Sequence, residues 1–250
     1  MKFKLAIVVL TWKDWKNTIT CLESIYQQKY KNFKVFVIDN NSQDNTFEKI
    51  KQWSNNKIKI NERLVKHKNK KINFFDLRNN RKLNNNNLIK HKYFFLENNK
   101  NLGCGYGHNT GYKIATKFNF KYVARIDNDM IMPKNFFSNI ISKIDNKHSI
   151  QAISPKILYK FEKNKIWWRG TTIGNNLKIQ RHLRNYPYRL LDNKNYSGIV
   201  NTDAIAGCAS IMRSKRIKQV GLSDPDFFYG EEDIELSNRL KKTNGNYDYV

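Results

Sequence analysis

Two aspartates, one residue apart, end an apolar segment near the middle of the chain. In "VARIDNDMIM" (residues 123–132), Asp127 and Asp129 follow one apolar run and precede another, Met130–Met132. At the end of a strand, residues two apart project to the same side, and two carboxylates there repel each other unless a cation or hydrogen-bond donors lie between them. A divalent cation shared with phosphate oxygens is one solution. The alternative is a polar turn in which Asp129 caps the next helix, and Asn128 suits that turn equally well.

A second acidic cluster lies near the C-terminal end of the sequence. "YGEEDIE" places Glu231, Glu232, Asp233 and Glu235 within five positions, after a turn-forming "DPDFF". Such acids suit a helix N-terminus, where they complement the macrodipole. They also suit a general base, since one carboxylate could take a proton from an acceptor hydroxyl.

The elements that must position these acids alternate between strand and helix. "KLAIVVLTW" and "FKVFVIDNNS" are apolar strands, each followed by a helical pattern, and Asp14 is the expected N-cap of the first helix. This order predicts a parallel sheet covered by helices, in which ligands bind at the carboxyl ends of the strands. Thr11, Asp39 and Asp127 fall at such ends.

The later segments continue the pattern with less regular spacing. We predict a helix over "PKNFFSNIISKI" with Pro133 in its first turn, and strands over "IQAISPKILY", "KIWWRGTTIG" and "NTDAIAGCASIMRS". A short helix "KRIKQVG" follows, then a longer helix closed by Gly245 and a final strand "NYDYV". No linker divides the chain, so residues 1–250 are interpreted as one domain.

Glycines are concentrated in "NNKNLGCGYGHNTGYKIATKF". Gly103, Gly105, Gly107 and Gly111 precede a helical pattern that begins near Tyr112. A glycine-rich turn before a helix can approach a phosphate closely, although the spacing is not that of the dinucleotide fingerprint. A plain tight turn is the equal alternative.

The region after the second helix is strongly basic. Residues 54–100 hold 13 Lys and Arg against 3 Asp and Glu, with many asparagines. We interpret most of residues 54–92 as a surface insertion, with a strand resuming at Tyr93–Glu97. A nucleic-acid-binding loop with bases stacked on Phe74 and Phe75 is the less favoured alternative.

The whole chain is basic and has few cysteines. Among 250 residues, 46 Lys and Arg oppose 21 Asp and Glu, giving a formal charge of +25. This charge favours a polyanionic partner, although a Lys/Asn-rich coding bias also explains part of it. Three cysteines without metal-knuckle spacing indicate a reducing compartment. The first apolar run is too short for a signal peptide, and no run reaches the roughly 18 residues of a membrane span.

Taken in order, these motifs resemble those of family 2 glycosyltransferases of the GT-A fold, in particular the bacterial rhamnosyltransferase-like branch. The resemblance rests on "AIVVLTWKDWKNTITCLESIYQQKYKNFKVFVIDNNSQDNT", "NKNLGCGYGHNTG", "YVARIDNDMIMP" and "IAGCASIMRSKRIKQVGLSDPDFFYGEEDIELSNRLKKTNG". It covers nearly the whole chain except roughly residues 54–92. It implies an α/β fold with a Rossmann-like, mostly parallel mixed sheet flanked by helices.

The resemblance also implies roles for individual residues. Asp127-Asn128-Asp129 corresponds to the D-x-D motif, in which Asp129 ligates Mn²⁺ or Mg²⁺ on the nucleotide diphosphate and Asp127 faces the nucleoside. Asp39 would contact the base, with Thr11 and Asn41 nearby.

Further roles follow for the glycine-rich and acidic segments. Gly103 and Asn109 would line the nucleotide pocket, Asp233 would be the general base, and Glu232 would stand beside it in the acceptor site. Stacking of Trp167 and Trp168 on an acceptor sugar is a further option, but strand alternation predicts that at least one of them belongs to the core.

The implied activity is inverting transfer of a sugar from a UDP- or dTDP-sugar to a hydroxyl of a glycan or lipid-linked acceptor in surface polysaccharide synthesis. Such an enzyme would work in the cytoplasm, or peripherally on an anionic inner membrane, without a nucleic-acid partner. There are departures from the family pattern: strand one ends in "TWK", and the sequence stops at "NYDYV", before a His-containing segment that relatives carry. A truncated fragment that binds nucleotide but turns over poorly, or a basic nucleic-acid-binding protein, are therefore kept as alternatives.

Overall fold

The structure, a computed structural model, describes residues 3–68, 70–78, 82–174, 179–181 and 190–241. The strands are β1 (Leu5–Thr11), β2 (Phe33–Asp39), β3 (Phe74–Asp76), β4 (Tyr93–Glu97), β5 (Tyr122–Asp127), β6 (Ala152–Ile153), β7 (Ile157–Leu158), β8 (Ile166–Trp168), β9 (Thr171–Ile173), β10 (Ile179–Arg181) and β11 (Ala209–Arg213). The helices are α1 (Trp15–Tyr26), α2 (Thr46–Ser54), α3 (Asn85–Lys90), α4 (Cys104–Lys117), α5 (Phe136–Asn146), α6 (Ser214–Val220) and α7 (Glu232–Lys241).

A mixed seven-stranded sheet forms the centre of the molecule. Its order is β3-β4-β2-β1-β5-β11-β6, with parallel pairing from β3 to β5 and antiparallel pairing of β11 with both neighbours. The register pairs Thr11 with Asp39 and Leu10 with Asp127. The predicted mostly parallel sheet is therefore confirmed, and the three polar strand ends lie at one edge.

Helices cover both faces of the sheet because its central strand is apolar on both sides. Leu5, Ile7 and Val9 of β1 belong to a core cluster shared with α1, α2 and α5. The intervening residues, Ala6, Val8 and Leu10, belong to a second cluster shared with α4, α6 and α7. Asp14 accepts a hydrogen bond from Asn17 N at 3.2 Å and caps α1, as predicted.

The segment 54–92 is only partly the surface insertion that the sequence predicts. Its β3 adds an edge strand parallel to β4, and four of its apolar side chains are buried, namely Val65, Ile72, Leu77 and Leu88. Phe74 packs on Tyr93 with ring centroids 5.5 Å apart, and Phe75 lies 4.8 Å from the His91 ring. These packed rings do not support the alternative of stacking on nucleic-acid bases.

A buried carboxylate explains why this basic segment folds back on the domain. Glu23 of α1 is fully buried and pairs with the buried Lys70 ammonium. It also accepts hydrogen bonds from Trp53 Nε1 at 3.0 Å and from Lys68 N at 3.2 Å. A buried, multiply hydrogen-bonded ion pair fixes a specific position for the chain that carries it.

Replacing Glu23 with Gln should lower the free energy of unfolding by about 3–5 kcal/mol, because the change leaves the Lys70 ammonium buried without its charge partner. Urea unfolding measures the difference, and Glu48→Gln on the exposed face of α2 is the matched control, with an expected change within about 0.5 kcal/mol. Equal stabilities of the two variants would show that Glu23 does not anchor this segment.

Two boundaries differ from the sequence-based predictions. The helix α4 begins at Cys104, so Gly105, Gly107 and Gly111 lie inside it and not in a preceding turn. A Cβ at Gly111 would approach Val8 side-chain carbons to 2.4 Å, so the glycines allow α4 to pack closely on β1. Pro133 precedes α5 by a turn, in which its carbonyl accepts hydrogen bonds from Phe136 N and Gln28 Nε2 at 2.9 Å each.

Two other expectations concern the last residues. Gly245 and the strand "NYDYV" lie outside the described residues. Within the described residues, no helix is long and apolar enough to cross a membrane.

Candidate functional site

Two adjoining chambers open at the carboxyl edge of the sheet. The smaller chamber, of about 370 Å³, lies beside Thr11, Trp12 and Gly103. The larger chamber, of about 790 Å³, lies between the β7–β8 hairpin and the start of α7. The two chambers share four lining residues, Cys104, Asp127, Asp129 and Tyr229. The D-x-D segment therefore lies at the junction of the chambers.

The turn that follows β5 fixes the two aspartates. Asp127 N donates to Cys208 O at 2.8 Å, and Asn128 Nδ2 donates to Thr18 Oγ1 at 3.1 Å. Asp129 is exposed and does not cap a helix, since α5 begins only at Phe136 and its N-cap is Asn135. The alternative of a helix cap is therefore wrong, and the Asp129 carboxylate faces solvent beside both chambers.

Asp127 is less exposed than Asp129. Burial, with a smaller contribution from the neighbouring carboxylates of Asp129 and Glu232, raises the pKa of its carboxyl to about 6 against the opposing charge of Arg125. Its Oδ1 is buried and has no hydrogen-bond partner among the described residues. A cation or a donor at the junction would satisfy this oxygen.

The acidic cluster enters the larger chamber at the start of α7. Gly230 and Glu231 have φ values of 88° and 63°, and this turn directs the next two acids inward. Glu232 is buried and its Oε1 lies 2.6 Å from Arg125 Nη2, whereas Asp233 Oδ2 accepts from Gly207 N at 3.0 Å.

The two neighbouring acids have opposite pKa shifts. Burial opposes ionisation of Glu232, but the Arg125 charge outweighs it and lowers the pKa of that carboxyl. Burial raises the pKa of Asp233, and Arg125 offsets this only in part. Asp233 is thus the better proton acceptor of the pair near neutral pH.

Arg125 is a site residue that we did not predict from the sequence. It lies on β5 between Ala124 and Ile126 and is 3% exposed. Its guanidinium reaches Glu232, lies 3.1 Å from Cys104 Sγ, and places Nε 3.8 Å from Asp127 Oδ1. The available signal was a charged residue inside an otherwise apolar strand, which requires a buried partner.

The residues predicted for the nucleotide lie at the same edge but differ in exposure. Thr11 lines the smaller chamber, and its Oγ1 lies 2.7 Å from Thr18 Oγ1. Asp39 is buried and accepts hydrogen bonds from the backbone and hydroxyl of Ser42. Asn41 has a φ of 64° and donates to Asn99 O at 2.7 Å.

Asn40, which we did not predict, lies between Asp39 and Asn41 in the sequence and lines the smaller chamber. Its Nδ2 donates to Asn101 Oδ1 at 2.8 Å and to Gly103 O at 3.0 Å. The hydrogen bonds of Asp39 and Asn41 therefore stabilise this turn, and Asn40 is the residue of the turn that lines the chamber.

The two residues of the glycine-rich segment that we predicted for the nucleotide pocket have different locations. Gly103 lines the smaller chamber, and its φ of 75° and its contact with Phe228 O leave no room for a Cβ. Asn109 is buried, and its amide exchanges hydrogen bonds with Ser223 O and Ser223 N at 2.8 and 2.9 Å. Asn109 is therefore not among the residues that line the smaller chamber, because its amide instead ties α4 to the segment before α7.

Two sets of donor atoms could be considered for a metal. The exposed Asp129 carboxylate and the Asp127 Oδ1 atom, which has no hydrogen-bond partner among the described residues, are hard ligands of the kind that Mn²⁺ and Mg²⁺ prefer. Cys104, His108 and Asp127 also bring one donor atom each within 4.8 Å. That second set fits a dication poorly, because the Arg125 guanidinium touches the thiol and burial raises the pKa of Cys104 to about 12.

The two tryptophans of β8 have different environments. Trp168 is 4% exposed and its Nε1 donates to Thr171 Oγ1 at 3.2 Å, so it belongs to the core. Trp167 is partly buried and lines the larger chamber with Tyr159 and Tyr229. The prediction that at least one tryptophan belongs to the core is confirmed.

Several solved structures have a fold similar to that of this chain. The chain superposes on S. aureus TarS 1–349 with a TM-score of 0.60 and 14% identity, and on the mannosyltransferase PcManGT from Pyrobaculum calidifontis, solved with GDP-Man and Mn²⁺, with 0.62 and 14%. It superposes on GalNAc-T7, solved with UDP, GalNAc and Mn²⁺, with 0.65 and 13%. The matches cover 99%, 100% and 100% of this chain but only 58%, 55% and 42% of those chains. No curated protein matches the sequence.

A family model for glycosyl transferase family 2 matches residues 6–88 and 83–218. The two matched stretches include the D-x-D segment and all the strands of the central sheet except Leu5, the first residue of β1. The resemblance is thereby confirmed at the level of the family, and the chain belongs to glycosyl transferase family 2 and has the GT-A fold.

Proposed function

We propose that this protein is an inverting glycosyltransferase that moves a sugar from a UDP- or dTDP-sugar to a hydroxyl of a glycan or lipid-linked acceptor in surface polysaccharide synthesis. One observation carries the proposal. The exposed Asp129 stands at the junction of two chambers, and Asp233 lies in the wall of the larger one. A donor diphosphate and an acceptor hydroxyl could thus meet between a metal-ligating and a proton-accepting carboxylate.

The smaller chamber is the proposed donor site. Thr11, Gly103 and Asn40 line it, and Asn40 belongs to the turn that also contains Asp39 and Asn41. We assign the nucleoside base to this turn and the diphosphate to the Asp129 end. Donor complexes of similar proteins support the assignment, since one was solved with GDP-Man and TarS 1–349 with UDP-GlcNAc.

Asp129, with Asp127 behind it, would hold Mn²⁺ or Mg²⁺. Such an ion, when bound, offsets the negative charge that develops on the departing diphosphate. The side chains fit this role, because carboxylate oxygens are the available donors and Asp127 Oδ1 has no hydrogen-bond partner among the described residues. The two similar structures solved with Mn²⁺ support it.

Asp233 is the proposed general base. It takes the proton of the acceptor hydroxyl while the hydroxyl oxygen bonds to the anomeric carbon and the bond from that carbon to the diphosphate oxygen breaks. A single in-line displacement of this kind inverts the anomeric centre without a covalent enzyme intermediate. The raised pKa of Asp233 increases its basicity toward a hydroxyl.

Turnover tests this function directly. A panel of UDP- and dTDP-sugars is incubated with Mn²⁺ and glycan or lipid-linked acceptors, and release of the nucleoside diphosphate is followed. The proposal expects acceptor-dependent release for one donor and a product with the opposite anomeric configuration by NMR. A product that retains the donor configuration would contradict the single displacement.

Metal binding should depend on pH through Asp127. Its carboxyl is protonated below its pKa of about 6 in the metal-free protein, and that proton must leave before the oxygen can support a cation. Mn²⁺-dependent nucleotide affinity should therefore be full at pH 7.5 and fall by about tenfold at pH 5, as measured by calorimetry. The Asp127→Asn variant should lose this dependence below pH 6, and a wild-type affinity that is constant from pH 5 to 7.5 would contradict the assignment.

We further propose that the protein acts on the cytoplasmic face of an anionic membrane. The formal charge of +25 supports this, as does Phe161, which is 91% exposed in the β7–β8 turn close to the larger chamber. Sedimentation with phosphatidylglycerol vesicles should be strong in low salt, fall steeply by 0.5 M NaCl, and weaken in Phe161→Ala. Equal binding to neutral phosphatidylcholine vesicles would contradict an electrostatic attachment.

A further inference from the structure

Arg125 is the buried cation of the acidic site. Its Nη2 is 2.6 Å from Glu232 Oε1, and its Nε is 3.8 Å from Asp127 Oδ1. A Cβ placed on Gly207 would lie 3.2 Å from Arg125 Nη2 and 3.0 Å from Asp233 Oδ2, so the guanidinium and that carboxylate flank the same glycine. One strand residue thus connects the D-x-D segment with the two acids of α7.

The site requires such a cation because three acids converge on one wall of the larger chamber, where Glu232 is buried and Asp127 and Asp233 are partly buried. Asp127, Glu232 and Asp233 interact electrostatically with one another and with Arg125. Without a fixed positive charge, buried carboxylates would be protonated or would turn toward solvent. An arginine stays charged at every relevant pH and presents a rigid fork of donors, which suits this task better than a lysine.

The contacts of Arg125 distinguish the two neighbouring acids. It holds Glu232 through a short charge-assisted hydrogen bond, and Gly105 leaves room for that side chain, since a Cβ there would lie 2.5 Å from Glu232 Cγ. Asp233 makes no hydrogen bond to Arg125 and accepts only backbone N–H groups, from Gly207 and Ile234. Each Asp233 oxygen keeps lone-pair capacity for one more donor, such as an acceptor hydroxyl.

We propose that Arg125 is a positioning residue for sugar transfer: it holds Glu232 out of the reaction and supports Asp127 and Asp233 at the junction of the two chambers, so that Asp233 alone receives the acceptor proton. The inference rests on the proposed glycosyltransferase function and adds a residue and a division of roles to it.

Three variants test the role. Arg125→Met removes the charge, Arg125→Lys keeps the charge without the fork, and Arg125→Met/Glu232→Gln removes the buried pair as a neutral exchange. Arg213→Met is the matched control, because this arginine on β11 donates to Ile144 O and Ile150 O outside both chambers. Each protein is measured for thermal unfolding, for Mn²⁺-dependent UDP or dTDP affinity by calorimetry, and for kcat and KM across pH.

The double variant is the decisive protein. Its neutral pair should restore folding, keep nucleotide affinity within about threefold, and lower kcat by about 10²-fold, as removal of a preorganised charge does in other active sites. Arg125→Lys should fold and show an intermediate fall in kcat with an altered pH profile. Arg213→Met should keep the wild-type kcat and pH profile whatever its stability.

Two results would overturn the inference. Wild-type kcat in the double variant would mean that Arg125 only neutralises Glu232, and wild-type kcat with an unchanged pH profile in Arg125→Lys would mean that the fork has no role. If the double variant does not fold, the kcat and pH profile of Arg125→Lys decide whether the inference holds. Failure of the wild-type chain to bind any nucleoside diphosphate is a different result, which removes the proposed function and this inference with it.

Discussion

Replacing Asp233 with Asn is expected to lower kcat for sugar transfer by roughly 10³-fold while Mn²⁺-dependent nucleotide binding stays within about threefold of wild type. An asparagine oxygen can still accept from Gly207 N, so the local structure should persist, but the amide cannot take the proton of an acceptor hydroxyl. Initial rates of nucleoside diphosphate release, with calorimetric titration on the same preparation, separate chemistry from binding.

Asp226→Asn is the control for this experiment, because it removes an exposed carboxylate of the segment before α7 that lies outside both chambers. Its kcat should be within about twofold of wild type. If Asp233→Asn keeps more than about a tenth of the wild-type kcat, another group accepts the proton and the assignment of Asp233 fails. Since Arg125 lowers the pKa of Glu232, Glu232 would be the weaker candidate to replace it.

Replacing Asp129 with Ala should weaken nucleoside diphosphate binding by at least about 10²-fold in the presence of Mn²⁺ and remove the difference between titrations with and without the metal. Asp129 is exposed at the junction of the chambers, so its loss should leave the fold and the thermal unfolding temperature nearly unchanged. A weak, metal-independent affinity from contacts with the nucleoside should remain.

Asp226→Asn is the matched control, since it removes one exposed carboxylate outside both chambers. It also accounts for any effect of net charge on nucleotide affinity. Retention of Mn²⁺-dependent binding in Asp129→Ala would show that the metal is held elsewhere, with Cys104, His108 and Asp127 as the next set to test.

The sequence allowed the placement of the polar strand ends to be predicted because that placement follows from short-range patterns. Apolar runs of strand length and helical spacing between them require a parallel sheet, and parallel strands bring their carboxyl ends to one edge. Thr11, Asp39 and Asp127 therefore meet as expected, and Tyr93–Glu97 forms a strand with the predicted bounds.

The remaining features depend on contacts between residues far apart in the chain. The pairing of Glu23 with Lys70 holds a basic, asparagine-rich stretch against the domain. No local sequence pattern predicts this pairing. The hydrogen bonds of Asn109 to Ser223 and of Arg125 to Glu232 join residues more than 100 positions apart. A family motif can name such residues, but only the three-dimensional structure shows which side of a helix or strand they occupy.

Composition also misled in one respect. Glycines spaced by two residues normally indicate a loop, but here most of them lie inside α4, where the helix approaches β1 and α7 too closely for side chains. Only Gly103, with its positive φ, has the conformational role that the pattern suggested.

The most direct test of this account is calorimetric titration of UDP and dTDP into the wild-type chain with and without Mn²⁺. The account predicts binding of one of the two nucleotides with an affinity that Mn²⁺ increases by at least about tenfold, and the preferred base would narrow the sugar donor. A folded protein that binds neither nucleotide, with or without the metal, would contradict a donor site at Asp127 and Asp129.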